Sequence, residues 1–324
     1  MNDNLVEVRD LTVRFATDDG PVAALNGVDF SVAAGEVMTI LGESGSGKSV
    51  TLRALMRLLP PRKASLSGTI RVGPHRIDTL GEHQVAELRG PLISMIFQEP
   101  MLAFDPVYTI GRQIIETIIR HERIDEASAR ARARELLERV QIPSAERRLA
   151  SYPHEMSGGM RQRAMIAMAL SCDPRLLLAD EPTTALDATV QVQVLILLRR
   201  LQRELGMAMI FVTHDLGVAS EIADTIAVMY AGRIVETGPV AEVLSNPLHP
   251  YTIGLLASTV HGQPRDRDID AIRGSPPDMR HLPPGCSFAP RCSQRVAACL
   301  TVVPELRFPS RDRMAACLAV PNSI

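Results

Sequence analysis

Along residues 5–15 apolar side chains fall at alternate places, Val6 and Val8 and then Leu11, Val13 and Phe15, the period of a half-buried strand. A turn at Asp18-Asp19-Gly20-Pro21 leads into a second strand over 23–32, and Gly35 leads into a third over 36–41. Residues 92–97 are apolar almost throughout, as strands buried on both faces are. Residues 175–181 read the same way but end in two carboxylates, Asp180 and Glu181. From 110 to 141 the period becomes helical. Ile114, Ile115, Ile118 and Ile119 recur at helix spacing, and Asp125 reads as the N-cap of a helix over 126–141 that Pro143 stops. Helices over 50–56, 164–170 and 188–204, a short strand over 68–73 and a strand over 207–213 complete the pattern. Strand, helix and strand in this order predict a parallel α/β core behind an antiparallel β-layer, with a helical subdomain inserted between strands.

Composition narrows the class. The chain has 324 residues, room for one large domain and a smaller one. Its 35 basic residues face 37 acidic ones, so it lacks the charge footprint of a protein that coats nucleic acid. Apolar residues reach 46%, yet no run approaches the roughly 18 to 20 that span a bilayer. The start, Met1-Asn2-Asp3-Asn4, lacks the basic and apolar regions of a signal peptide, which predicts a cytosolic protein with reduced or ligated cysteines.

The chemistry begins at Gly42-Glu43-Ser44-Gly45-Ser46-Gly47-Lys48-Ser49, a G-x-x-x-x-G-K-S stretch set between a strand and a helix. That is the context of a phosphate-binding P-loop. Its glycines let backbone N–H groups turn onto an anion, and the helix behind adds its positive end. Lys48 can reach β- and γ-phosphates and the Ser49 hydroxyl can ligate Mg²⁺. Behind a P-loop, Asp180 and Glu181 at a strand end read as a Walker B pair, Asp180 for Mg²⁺ and Glu181 to polarise the attacking water.

Ser157-Gly158-Gly159-Met160-Arg161-Gln162, just upstream of that strand, is similar to the LSGGQ signature, and with it the chain resembles the ATP-binding subunits of ABC transporters. Met156 and Met160 stand where the family has Leu and Gln, while Ser157, Gly158 and Gly159 keep the groups expected to reach a γ-phosphate held by a second subunit. The resemblance implies further roles. Phe15 would stack on adenine, Gln98 would be the Q-loop glutamine that senses Mg²⁺, Ala185-Leu186-Asp187 the D-loop, and His214 the switch histidine. It implies the fold as well, an α/β P-loop ABC ATPase domain with parallel core sheet, antiparallel β-layer and helical subdomain. The expected boundaries are 1–246 for that domain, with the helical subdomain at about 99–171, and 247–324 for a small cysteine-containing C-terminal extension.

The later motifs His249-Pro250-Tyr251-Thr252, Pro283-Pro284-Gly285-Cys286 and Phe288-Ala289-Pro290-Arg291-Cys292 resemble the extension of oligopeptide and dipeptide importer ATPases, which nickel, glutathione and some sugar importers share. The resemblance implies an ATP-hydrolysing motor at the cytoplasmic face of the membrane. Its partners would be a second ATP-binding subunit, a paralogue, two membrane-spanning permease subunits and an extracytoplasmic solute-binding protein, with no nucleic acid. A soluble ABC ATPase is the alternative; those usually carry two cassettes or a long coiled coil, and one cassette without sustained heptads is present here. Cys286, Cys292, Cys299 and Cys317 are spaced C-x5-C-x6-C-x17-C, which points to a bound metal centre. Zinc sites favour C-x2-4-C pairs, absent here, so zinc is the alternative. A [4Fe–4S] cluster, known at similar cysteines in related dipeptide-importer subunits, is the centre the resemblance implies. Cys172 reads as a core residue.

Overall fold

The computed structural model describes residues 4–184, 186–258, 272–310 and 312–321. Among them the strands, in chain order, are β1 Asn4–Thr17, β2 Gly20–Ala33, β3 Val37–Leu41, β4 Ala64–Val72, β5 His75–Arg76, β6 Ile93–Ile96, β7 Leu176–Asp180, β8 Ala208–Thr213, β9 Thr225–Tyr230, β10 Arg233–Pro239, β11 Arg307–Ser310 and β12 Arg313–Ala315. The chain divides into two compact units. One comprises Met1–Leu5, Ala33–Glu36 and Thr79–Phe211; the other comprises Val6–Val32, Val37–Asp78 and Val212–Ile324.

In the first unit β6 and β7 run parallel, with Ile93 opposite Leu176 and Ile96 opposite Ala179, and β8 follows β7 on its other side. Every residue of β7 is buried, as the unbroken apolar run requires. The helices of this unit obey local end rules. Thr109 accepts a bond from the Arg112 N–H at 3.3 Å to start Ile110–Glu122, whose buried positions Ile110, Ile114 and Ile118 form one stripe. Asp125 accepts from the Ser128 N–H at 3.0 Å to start Glu126–Arg139. This helix ends two residues before the expected 141, because Gln141 turns into the left-handed region. Cys172 is buried, and that burial pushes its thiol pKa up, as befits a core residue.

The second unit holds two sheets. β2, β1, β4 and β5 make an antiparallel layer in which Phe15 pairs with Ala64 and Val13 with Leu66. The other sheet runs β11-β12-β10-β9-β3, with β3 and β9 parallel, Ile40 facing Ala227, and the remaining pairs antiparallel. One apolar cluster lies behind β3 and β9 and draws on both ends of the sequence. Leu41, Val228 and Tyr230 share it with Tyr251 and Phe288. Rings of Tyr230, Tyr251 and Phe288 meet at centroid distances of 4.6 to 5.5 Å, in the tilted and edge-on arrangements aromatic pairs favour.

Candidate nucleotide site

The phosphate cradle belongs to the second unit. β3 ends at Leu41, and Gly42 follows with no room for a side chain, since a Cβ there would sit 2.3 Å from the Met229 carbonyl oxygen. Gly47, at φ 109°, is the left-handed N-cap of the helix Lys48–Leu55, which has no side-chain cap and no acidic residue in its first turn. An anion placed there would meet the positive end of the helix with no acidic side chain of the first turn opposing it. Lys48 is buried and its ammonium donates to the carbonyls of Gly42 at 2.8 Å and Glu43 at 3.0 Å, bending the loop around its own lysine. The Ser46 hydroxyl is buried without a hydrogen-bond partner among the described residues, an orphan that a phosphate oxygen would satisfy. Ser44 and Gly45 are exposed at the tip and Ser49 lies half-buried in the first helical turn. Phe15 is half-buried at the end of β1 and His214 is exposed just after β8.

The first unit gathers the carboxylates. Asp180 is the last residue of β7 and is buried. Glu181 follows with φ 43°, a left-handed conformation rare for a side chain of this size, which turns the chain as the strand stops. Its carboxylate accepts a bond from the Thr184 hydroxyl at 2.9 Å. Since Ile96 pairs with Ala179, the parallel register brings Gln98, exposed just past β6, to the same strand ends. Carboxyl ends of parallel strands are where open α/β sheets bind their ligands.

The helix Gly158–Ala169 begins six residues earlier than the predicted 164. Ser157 is its N-cap, accepting from the Met160 N–H at 3.3 Å, so the expected signature residues are themselves the helix amino end. Ser157 and Gly158 are exposed and Met156 is buried. Asp187 caps Ala188–Leu205 by accepting from the Val190 N–H at 3.0 Å; Ala185, the first D-loop residue, lies outside the described residues.

Comparison with known proteins decides the family. Residues 25–184 match the ABC transporter family model, and residues 235–299 match that of the oligopeptide/dipeptide transporter C-terminal region. A Brucella abortus relative named "Putative peptide import ATP-binding protein" is 49% identical over 303 residues, 93% of this chain and 90% of the relative. A Brucella melitensis relative of the same designation is 48% identical over 326 residues, 97% of this chain and 96% of its own. The chain belongs to the ABC transporter family. Among solved structures, a dimeric ATP-binding cassette in a post-hydrolysis state bound to ADP and Pi is 28% identical with a TM-score of 0.65, over 72% of this chain and 98% of that one. Part of an ABC transporter complex from Clostridium perfringens is 28% identical with a TM-score of 0.63, over 75% of this chain and 92% of its own. The expected ABC ATPase fold holds.

Beyond the cassette motifs, this ABC protein has site contacts that sequence reasoning missed. The Glu43 N–H donates to the Tyr251 hydroxyl at 3.0 Å. The Glu43 carboxylate receives both outer nitrogens of Arg291, Nη1 at 2.9 Å and Nη2 at 3.2 Å. The motif around Phe288 to Cys292 was visible in the sequence, but nothing local marked Arg291 as a partner of the P-loop. The four cysteines of the extension line one small cavity of about 20 Å³ with His249 and Phe288. Burial, followed at a distance by the neighbouring thiols, pushes the pKa values of Cys286 and Cys292 up. The expected metal centre is not preassembled. Among the described residues no three His, Cys, Asp or Glu side chains are gathered closely enough to hold a metal ion. A tetrahedral zinc ion needs each sulfur about 2.3 Å away, a much tighter gathering.

Proposed function

We propose that this chain is the ATP-hydrolysing motor of an importer that carries di- or oligopeptides across the cytoplasmic membrane. The observation that carries the reading is the joining, in one chain, of a phosphate cradle with a Walker B strand end to a C-terminal region of the oligopeptide/dipeptide transporter type. Relatives designated for peptide import support peptides over nickel or glutathione as cargo. No helix among the described residues is long and apolar enough to cross a membrane, so the reading requires two permease subunits as partners, with a solute-binding protein supplying cargo. A paralogous second ATP-binding chain completes the motor.

In this reading Phe15 stacks on adenine, and residues 42–48 hold the phosphates through backbone N–H groups and the Lys48 ammonium. Ser49, Gln98 and Asp180 would hold Mg²⁺, which when bound neutralises charge on the phosphate oxygens. Glu181 orients a water and accepts its proton as the water oxygen bonds to the γ-phosphorus and the bond to the ADP oxygen breaks. His214 donates a hydrogen bond toward the γ-phosphate, and Ser157, Gly158 and Gly159 of a second chain cover it from the other side, with Asp187 at the same junction. Residues 1–246 supply this machinery, with the helical part at about 99–171 facing the permease, and 247–324 act as the extension. Glu181→Gln in the assembled complex tests it: ATP binding is retained while turnover falls at least about 100-fold, the scale of losing a general base. Unchanged turnover would refute the role.

A second reading concerns the thiols. Cys286, Cys292, Cys299 and Cys317 converge on one cavity, and a sulfur-only donor set is the kind that holds a [4Fe–4S] cluster.

A further inference from the structure

The extension does more than pack behind the cassette; it grips the P-loop at one residue. Glu43 is held at three points. Its carbonyl accepts from the Lys48 ammonium at 3.0 Å, its N–H donates to the Tyr251 hydroxyl at 3.0 Å, and its carboxylate takes the two-pronged guanidinium of Arg291 at 2.9 and 3.2 Å. Arg291 is itself fixed. Its Nε donates to the Arg273 carbonyl at 3.1 Å, its Nη1 also reaches the Tyr230 hydroxyl at 3.4 Å, and only 6% of its side chain is exposed. A buried, planar fork already bonded on its other edge can hold a carboxylate in one place, as a solvated lysine cannot. Tyr251 is equally constrained, packed between Tyr230 and Phe288 and fully buried.

The consequence runs through Lys48. The Glu43 carbonyl is an anchor for the ammonium that the phosphates need, so the peptide at Glu43 helps set where that ammonium waits. We infer that Arg291 and Tyr251 are positioning residues for nucleotide binding, and that the extension presets the P-loop through Glu43. The inference rests on the reading of the P-loop as the ATP site. A preset loop binds with less ordering cost than a loop that must be shaped by its ligand. Arg291 immediately precedes Cys292, so one short loop carries both the grip on the P-loop and a thiol of the cysteine cavity.

Titration of the full-length chain with ATP, followed by calorimetry, is the test. Arg291→Met keeps the apolar stem and removes the fork, and Glu43→Ala removes the acceptor. Each should weaken ATP binding about tenfold, part of what losing one partner of a charged hydrogen-bonded pair costs. Because both cut the same link, the double variant should be no weaker than roughly tenfold, whereas independent damage would multiply to about a hundredfold. Arg291→Lys should recover only part of the loss, since it restores the charge without the fork. In the assembled complex Arg291→Met should raise KM for ATP and leave kcat within about twofold, the split expected of a binding-stage defect. Multiplying effects, or Arg291→Met and Glu43→Ala affinities within twofold of wild type while Lys48→Ala abolishes binding, would overturn the inference and leave the ATP site standing. No binding by the wild type would overturn both.

Discussion

Removing the Glu236 carboxylate should destabilise this protein strongly. Glu236 lies on β10, wholly buried, and its carboxylate accepts from three donors: the Leu248 N–H at 2.8 Å, the His249 N–H at 2.9 Å and the Arg313 guanidinium at 2.7 Å. Arg313 is 7% exposed and gives the same nitrogen to the Asn246 carbonyl at 2.8 Å. Glu236→Gln keeps one acceptor oxygen but replaces the other with an NH₂, which faces donors. One backbone N–H is orphaned and a buried guanidinium loses its counter-charge. Breaking a buried pair this way costs about 3–5 kcal/mol. With no tryptophan in the chain, tyrosine emission, half of it from Tyr230 and Tyr251 near the site by number of tyrosines, reports the unfolding of this unit in urea. The midpoint should fall by about 1–2 M at a slope near 3 kcal/mol per M. Adding Arg313→Met to Glu236→Gln should restore about 2 kcal/mol, because the stranded charge is then gone. A midpoint within about 0.3 M of wild type for Glu236→Gln would refute the reasoning.

His249 is buried and accepts the Tyr251 N–H on Nδ1 at 3.0 Å, and burial pushes its pKa down to about 4, against a weaker opposing effect of the backbone at Ala316. Between the unfolded value near 6.5 and about 4 the unfolded chain binds a proton that the folded chain refuses, so stability is complete above about pH 6.5 and falls as pH drops, by about 3 kcal/mol in all. His249→Asn should flatten the fall in urea midpoint between pH 7 and 4.5; an equally steep fall in the variant would assign it to other groups. Anaerobically purified wild type should carry about four iron and four sulfide per chain with visible absorption, lost in Cys292→Ser. Wild-type protein lacking both iron and sulfide sinks the cluster.

What was legible in the sequence was what local rules dictate. The P-loop needs glycines within eight residues, β7 needs an unbroken apolar run, and Asp125 announces its helix three residues before the N–H it caps. The start of Gly158–Ala169 was misjudged for a physical reason. Two glycines argue against a helix interior, yet in the first turn the N–H groups have no helical partner anyway, and the Ser157 cap decides the start. Contacts between distant segments were not legible. Arg291 and Glu43 are 248 positions apart, and neither residue type nor spacing pairs them. Nothing in the sequence around Glu236 marks its partner, and only the antiparallel pairing of β10 with β12, Glu236 opposite Ala315, brings Arg313 within reach.

Two of the ion pairs that tie the extension to the cassette, Glu236–Arg313 and Glu43–Arg291, are built for different work, and exposure is what separates them. Glu236 and Arg313 are 0% and 7% exposed, so opening that pair strands charge in a dry interior and amounts to unfolding. Arg291 is 6% exposed but Glu43 is 25% exposed, so water can take over part of the carboxylate if the guanidinium lets go. The first pair therefore fixes where the extension sits, closing β10 against β12 and capping the turn into the helix Pro250–Ala257 that carries Tyr251. The second leaves its carboxylate within reach of water. A link between an extension and a phosphate loop is useful for coupling only if its free energy is comparable to the nucleotide's own preference between loop shapes, a matter of one to three kcal/mol in order of magnitude. A charged hydrogen-bonded pair with a partly exposed carboxylate falls in that range and a fully buried one exceeds it.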